Sequence, residues 1–547
     1  MKRILALAFD GADYELVRRL RGEGELPTIS RLARDGAFGP LRSTIPAFTP
    51  TAWSTFLTGL NPGGHGIFNF TTNPNRGTQK LESAASRAGT PIWRRLGAAG
   101  IRSTYVGIPF TYPAEEIDGI VVTGYGGPER PQILPASAEE RIFAAYPDLV
   151  TAHHPLAERW WEDFPAYTGR LLEHAEQMAG VCKLVFELEP DLGLLAVDFM
   201  STDHVGHLGF ARFDPEHPAH ESTGSGDELL QVYRRVDELC GELIAAAEAQ
   251  YGEEPTVLLF SDHGMKPIYW MFHLDRWLEE RGHLRFRKRS LQPWRRGRLD
   301  YLARVDQKLV RTVPWYGRAV DMLPFLPRPA EDRLFADIDF GRTRAYGFAS
   351  QGQVYLGELT GARNDRAYID SLAAELAEVP HPATGEPAFQ VLRKEELFSG
   401  KFLDKAPELM LIPYDERINV DPSRRRWTQA FEPHERLDPE VSYGYSGHHG
   451  VTGILAATGP GIQPADVPET AEIVQLPATI LHLLGLSTDG LDGKPLAAIL
   501  EEDSAGPAAT ESAPPPPASP REASDEPVYS EEEERQMVER LRDLGYE

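Results

Sequence analysis

The chain has 547 residues, 41% of them hydrophobic, enough for a large core and two or three structural units. Its formal net charge of −26 argues against general nucleic-acid binding, which needs a basic footprint. Two cysteines, Cys182 and Cys240, allow at most one bridge, so this is not a disulfide scaffold.

The start, MKRILALAFDG, mimics a signal peptide because Lys2 and Arg3 precede apolar residues. The apolar run Ile4–Phe9 is too short for a signal core and ends at Asp10, so it reads as a first buried strand. No stretch approaches the roughly 18 apolar residues of a membrane span, and a cytoplasmic protein without a transmembrane segment is expected. Pro27 opens a helix that stops near Gly36, and Thr49-Pro50 reads as the cap and first residue of another. Thr90-Pro91 starts a further helix ending near Gly97 or Gly100. Apolar runs at Thr104–Ile108, Ile120–Thr123, Leu192–Phe199, Val257–Phe260 and Ile454–Ala457 fit strands buried on both faces of a sheet. A late helix runs from Pro477 to Leu484 and closes at Gly485. Such alternation predicts an α/β sandwich with a mostly parallel central sheet, whose ligands gather at the carboxyl ends of strands.

Two regions depart from this pattern. Residues 276–340 are rich in Arg, Trp and Pro and read as an inserted cap, between core segments 1–275 and 341–500. Within it, residues 281–318 hold 12 bases and 2 acids, a net +10. With Trp294 and Trp315, this stretch is either an entrance for an anionic substrate or acidic lipid, or a solvated surface paired with the protein's own acids; the second is favoured. Residues 501–547 hold 14 acids and 4 bases, a net −10. There, 501–528 form a disordered Pro-rich linker and 529–547 a short helix with a capping box at Ser530 and Glu533. Met537, Val538, Leu541 and Leu544 share one face of that helix at helical spacing.

The chemistry-bearing residues sit at strand ends or just after them. Asp10 ends an apolar strand and is followed by Gly11, so its carboxylate is either a turn residue or a metal ligand. Thr49 opens a helix, where orphan amides favour an anion such as phosphate; Thr51 and Thr55 are rivals, and a plain cap is an equal reading. Asp203 and His207 are four residues apart and share a face if the segment is helical. An oxygen and an imidazole ligand suit zinc or manganese, with Asp198 and His204 as alternatives. Asp262 and His263 end the strand before Gly264; being adjacent, they reach one ion only if the backbone turns. His449, with His448 beside it, precedes another strand.

Together these stretches resemble the alkaline phosphatase superfamily, and within it the type I phosphodiesterase/nucleotide pyrophosphatase branch. The matching pieces are FDGAD at 9–13, FTPTAWSTFLTGLNPGGHGI at 48–67, DHVGH at 203–207, FSDHGM at 260–265 and SGHHGVTGILAATGPGI at 446–462. They occur in the family's order. FGRTRAYGFASQGQVYLGELTGAR at 340–363 is similar to the strand after the cap in phosphohydrolase/phosphomutase members.

The resemblance implies two divalent metal ions, zinc as a rule and manganese in mutase-like relatives. Asp203, His207 and His449 would hold one ion, and Asp10, Asp262 and His263 the other, with Thr49 on the second as nucleophile. It favours His449 over His448, because the family's histidine stands two residues after the glycine, here Gly447. It implies a small phosphorylated substrate cleaved through a phosphothreonine, with diesters preferred to monoesters. The rivals are a phosphomutase or phosphotransferase of the same superfamily and a metal-binding pseudoenzyme scaffold. One departure stands out: where nucleotide pyrophosphatases carry an asparagine three residues after the nucleophile, this chain has Ala52. The Cys or Ser followed by Pro and Arg that a sulfatase needs is absent around Thr49.

Overall fold

A computed structural model describes residues 2–73, 80–153, 160–161, 163–220, 226–287, 338–422, 429–435, 437, 444–502, 504 and 528–543. Seven strands come first: β1 Ile4–Phe9, β2 Ala37–Arg42, β3 Arg102–Ile108, β4 Val121–Thr123, β5 Ile133–Leu134, β6 Leu192–Phe199 and β7 Thr256–Phe260. β1 lies between β6 and β7 and is parallel to both, and β3 is parallel to β6 and β4. Every residue of β1 and β6 is buried, which is why these strands read as continuous apolar runs rather than alternating ones.

The two faces of the sheet still separate along β1, because side chains alternate. Leu5, Leu7 and Phe9 pack with the helices Phe164–Leu188, Ser201–Phe213 and Glu228–Tyr251. Ile4, Ala6 and Ala8 pack with the helices Thr49–Thr58, Ile92–Ala98 and Gln475–Leu483. This is the expected α/β sandwich.

After β7 the chain leaves the sheet. β8 Gly264–Pro267 and β9 Trp270–His273 lead into the helix Leu274–Arg281. β10 Ala345–Gly347, β11 Gln353–Leu356, β12 Phe389–Arg393 and β13 Leu409–Pro413 form a separate antiparallel sheet in the order β10-β11-β13-β12. It has its own core, including Phe272, Trp277, Tyr346, Tyr355 and Leu411. β14 Ile418–Asp421 and β15 Phe431–Pro433 flank β9, and β16 Gly447–Gly450 pairs with β8. The central sheet resumes only with β17 Thr452–Thr458, which enters antiparallel between β2 and β7, and β18 Ala465–Asp466. Between Phe340 and β16 the chain thus builds the smaller sheets before β17 rejoins the central one.

Of the basic insertion, residues 288–337, with Trp294 and Trp315, lie outside the described residues, as do residues 503 and 505–527 of the linker. The C-terminal helix spans Glu531–Asp543. Glu533 accepts from the Ser530 amide at 2.8 Å, and its own amide donates to Ser530 Oγ at 3.3 Å, closing the expected capping box. Tyr529 is buried and donates to the Gly126 carbonyl at 2.8 Å, while Met537 joins the core on the Leu5 face. The side chains of Leu541 and Leu544 are outside the described set. Among the described residues no helix is long and apolar enough to cross a membrane.

Candidate functional site

Asp10, Asp203 and Asp262 follow the carboxyl ends of β1, β6 and β7, three adjacent strands, so the topology alone brings them together. Gly11 turns the chain after Asp10 with φ +68°, and its amide donates to Asp262 Oδ1 at 3.2 Å. A Cβ on Gly11 would stand 3.1 Å from Asp203 Oδ1, a tight contact, on a backbone conformation that favours glycine. The residues after β7 do turn. Ser261 Oγ donates to the Ala12 carbonyl and accepts from the Ile454 amide, both at 2.8 Å. That pinned turn directs Asp262 and His263 to one place, with His263 Nε2 3.3 Å from Asp262 Oδ2 and 3.6 Å from Asp10 Oδ1.

Asp203 and His207 are one turn apart on the helix Ser201–Phe213, with Asp203 Oδ1 3.4 Å from His207 Nε2. His449 reaches the same oxygen at 3.3 Å. On β16, alternation sends His448 the other way, to the Glu416 carbonyl at 2.8 Å. Donor atoms of Asp203, His263 and His449 lie close enough to share an ion, as do those of Asp10, Asp262 and His263. Thr49 Oγ1 is 3.3 Å from His263 Nε2. All seven expected residues are thus gathered and buried. The geometry differs from the expected partition in one respect: His263 touches both groups, because its ring stacks on that of His449 with centroids 3.8 Å apart.

The three imidazoles are oriented alike. Nδ1 of His207 donates to the Gly447 carbonyl at 3.0 Å, Nδ1 of His263 to the Gly264 carbonyl at 3.0 Å, and Nδ1 of His449 to the Ala47 carbonyl at 2.9 Å. A carbonyl accepts only, so a neutral ring here carries its proton on Nδ1 and turns the Nε2 lone pair into the cluster. Nε2 of His207 and Nε2 of His449 then face one another at 3.0 Å. Two lone pairs at that distance call for a cation between or beside them, and this tautomer is the one metal-ligating histidines take. Gly447 makes the His207 contact feasible, since a Cβ there would meet the Gly206 carbonyl at 2.3 Å.

The carboxylates carry the complementary strain. Burial, then the charges of Asp262 and Asp203, push the Asp10 carboxyl well above the usual range. Burial also pushes Asp262 up to about 8, against the backbone N–H bonds it accepts. At Asp203 burial acts the same way but is outweighed by His207, His449 and His263, which hold its pKa below the ordinary value. Burial and the neighbouring His263 lower His449 to about 3 despite Asp203. Asp10 Oδ1 and Asp262 Oδ2 are buried without a hydrogen-bond donor. Orphaned carboxylate oxygens facing imidazole Nε2 atoms fit divalent cations in chemistry and in direction.

Some rivals are sent elsewhere. Thr55 Oγ1 pairs with His65 Nε2 at 3.0 Å, and His204 sets its ring edge against Tyr125. Thr51 is buried and its hydroxyl has no partner. Asp198 does sit beside Asp10, and burial and then the charge of Asp10 raise its carboxyl far above the usual value. Thr49 is not the helix cap; Phe48 is, and no side chain caps that end. Its hydroxyl turns to His263 instead of to the backbone amides. Ala52 is buried in the core and supplies no donor.

Two supporting residues escaped the sequence reading. Trp53 Nε1 donates to Asp10 Oδ2 at 3.2 Å, and Thr202 Oγ1 donates to the Asp10 carbonyl at 2.6 Å. The first was marked by spacing, because Trp53 follows Thr49 by one helical turn and shares its face.

No curated protein sequence matches the chain. The solved structure of murine ectonucleotide pyrophosphatase/phosphodiesterase 5, an inactive threonine-to-alanine form in complex with AMP, is similar over 92% of this chain and 100% of its own. The TM-score is 0.51 and the identity 15%. The human protein of that name covers 90% of this chain and 97% of its own, with a TM-score of 0.48 and 15% identity. The family model for type I phosphodiesterase/nucleotide pyrophosphatase matches residues 4–450, a span that opens on β1 and closes on β16 and takes in each of the gathered side chains. The chain belongs to the type I phosphodiesterase/nucleotide pyrophosphatase family, within the alkaline phosphatase superfamily.

Proposed function

We propose that this chain is a two-metal phosphoric-ester hydrolase, diesters preferred, in which Thr49 is the nucleophile. The observation that carries the reading is the common orientation of His207, His263 and His449. Three Nε2 lone pairs converge with three carboxylates beside one hydroxyl. Asp203, His207 and His449 would hold one divalent ion and Asp10, Asp262 and His263 the other, with zinc the expected metal. Bound there, two cations would offset the charge of a phosphoester and lower the pKa of the Thr49 hydroxyl.

The chain's own part follows from its geometry. No side chain caps the start of the helix Thr49–Thr58, and a helix N-terminus favours phosphoryl oxygens beside Thr49. Thr49 Oγ1 forms the new bond to phosphorus as the ester alcohol departs, and water later releases the phosphoryl group from the threonine. Burial of Thr49 and of its ligand neighbours keeps bulk water away from the first step. The AMP complex named for the murine relative agrees with a phosphate ligand.

The test is a panel of phosphodiesters, monoesters, pyrophosphates and phosphonates on protein of known metal content, with Thr49→Ala beside it. Turnover lost in Thr49→Ala, with metal retained, supports the reading; turnover unchanged in that variant refutes the nucleophile. An added alcohol that captures most of the phosphoryl group would favour a phosphotransferase instead.

A further inference from the structure

Beside His449 lies a cleft of about 490 Å³, its open mouth included, that the chemistry above leaves unused. Ile45 and Pro46 form its core side, Leu411 and Ile412 of β13 and Ile418 and Val420 of β14 its far side. It therefore lies between the metal-binding core and the smaller sheet, and it shares Ala47 and His449 with the site itself. Among the described residues its wall holds no Lys or Arg and no Phe, Tyr or Trp. Among the described residues Glu416 is its one Asp, Glu, Lys or Arg, and Lys266 pairs with it at 3.1 Å.

That lining is predominantly aliphatic. Bases are held by stacking on aromatic rings, and additional phosphates by Arg or Lys. An aliphatic wall instead gains free energy from burying hydrocarbon. Its polar side chains include Gln351, Glu416 and His448. His448 is buried, its Nε2 donates to the Glu416 carbonyl, and its Nδ1 has no partner.

We propose that the cleft receives the hydrocarbon part of an aliphatic alcohol esterified to the phosphate at Thr49. The substrates are then alkyl phosphoesters rather than nucleotides. This rests on the phosphoester reading above and narrows it to a substrate class.

The experiment compares methyl, butyl and octyl para-nitrophenyl phosphate and thymidine para-nitrophenyl phosphate on the full, metal-loaded chain. At about 0.8 kcal/mol per buried methylene, kcat/KM should rise about threefold to fourfold per methylene until the cleft is filled. Ile412 is half-buried, so Ile412→Glu should fold and should erase the octyl preference while the methyl ester is cleaved within twofold of wild type. Ile412→Ala, the milder variant, should lower it severalfold. Equal rates for methyl and octyl esters, or preference for the thymidine ester, overturn the proposal and leave the hydrolase standing. If no ester is cleaved, the hydrolase reading fails. Calorimetric titration with octylphosphonate and methylphosphonate then judges the cleft alone. Octyl binding at least tenfold tighter, lost in Ile412→Glu, supports a hydrocarbon site; equal affinities end it.

Discussion

Trp53→Phe separates support of the metal site from packing of the core. The indole N–H donates to Asp10 Oδ2 at 3.2 Å, and the ring packs edge-on to Phe56 at 5.4 Å and tilted to Phe260 at 5.8 Å. Phenylalanine keeps an aromatic ring there but removes the donor, leaving a fully buried carboxylate oxygen without a partner. A hydrogen bond to a charged group is worth about 1.5–3 kcal/mol. Loss of such a support to a ligand typically costs about 10–100-fold in metal affinity, or about 1.4–2.8 kcal/mol at 1.4 kcal/mol per decade. Competition with a chelator of known zinc affinity measures this, alongside denaturant unfolding of the metal-free protein. The control is Phe56→Leu, which disturbs the same aromatic stack without touching Asp10 and should lower stability while leaving zinc affinity intact. If Trp53→Phe behaves like Phe56→Leu, with zinc affinity unchanged, the indole is only packing and Asp10 does not depend on it.

Other expectations follow from the same geometry. His449→Ala should weaken metal binding at least tenfold, whereas His448→Ala should leave metal content unchanged and cost about 1 kcal/mol of stability through the lost bond to Glu416; metal analysis of the two purified variants decides it. In chelated protein the Asp262 pKa of about 8 lies above its unfolded value near 3.9. Its bound proton therefore contributes stability that is full below about pH 4 and lost as pH rises through about 8. Melting curves of chelated Asp262→Asn and wild type should diverge in that window, and parallel curves would count against it. Met537→Ala removes a buried anchor worth about 2–5 kcal/mol from the C-terminal helix. Amide exchange over 531–543 should quicken by tenfold or more, with the central sheet unaffected.

Strands such as β1 and β6 were legible because burial on both faces demands unbroken apolar runs, and the sheet's edges of Gly, Pro and Asp mark where they stop. The carboxylates were legible for the same reason, as polar residues placed where an apolar run ends. What the sequence lacked was the third dimension of the turns. Whether Asp262 and His263 could meet depended on Ser261 bonding to Ala12 and Ile454, contacts more than 190 positions away in the chain. The sharing of His263 between the two ligand groups arises from its stacking on His449, which no spacing encodes. The short strands of the smaller sheet carry no unbroken buried run as long as those of β1 and β6; β12, for one, is buried only at Phe389. Period and composition report burial, not which core does the burying.

β17 enters the central sheet late in the chain yet lies between β2 and β7, and this sets a constraint on biosynthesis. A ribosome adding about 5–20 residues per second takes roughly 20–90 s to travel from Asp10 to His449. For roughly the last 10–40 s of it, once β7 has been made, the nascent chain carries two sheet edges waiting for the same missing strand, the kind of edge on which foreign strands add. Metal capture faces the same delay, since the last imidazole arrives with β16 just ahead of β17. Closure of the central sheet is thus expected to come late in synthesis, and the last of the gathered histidines arrives with it.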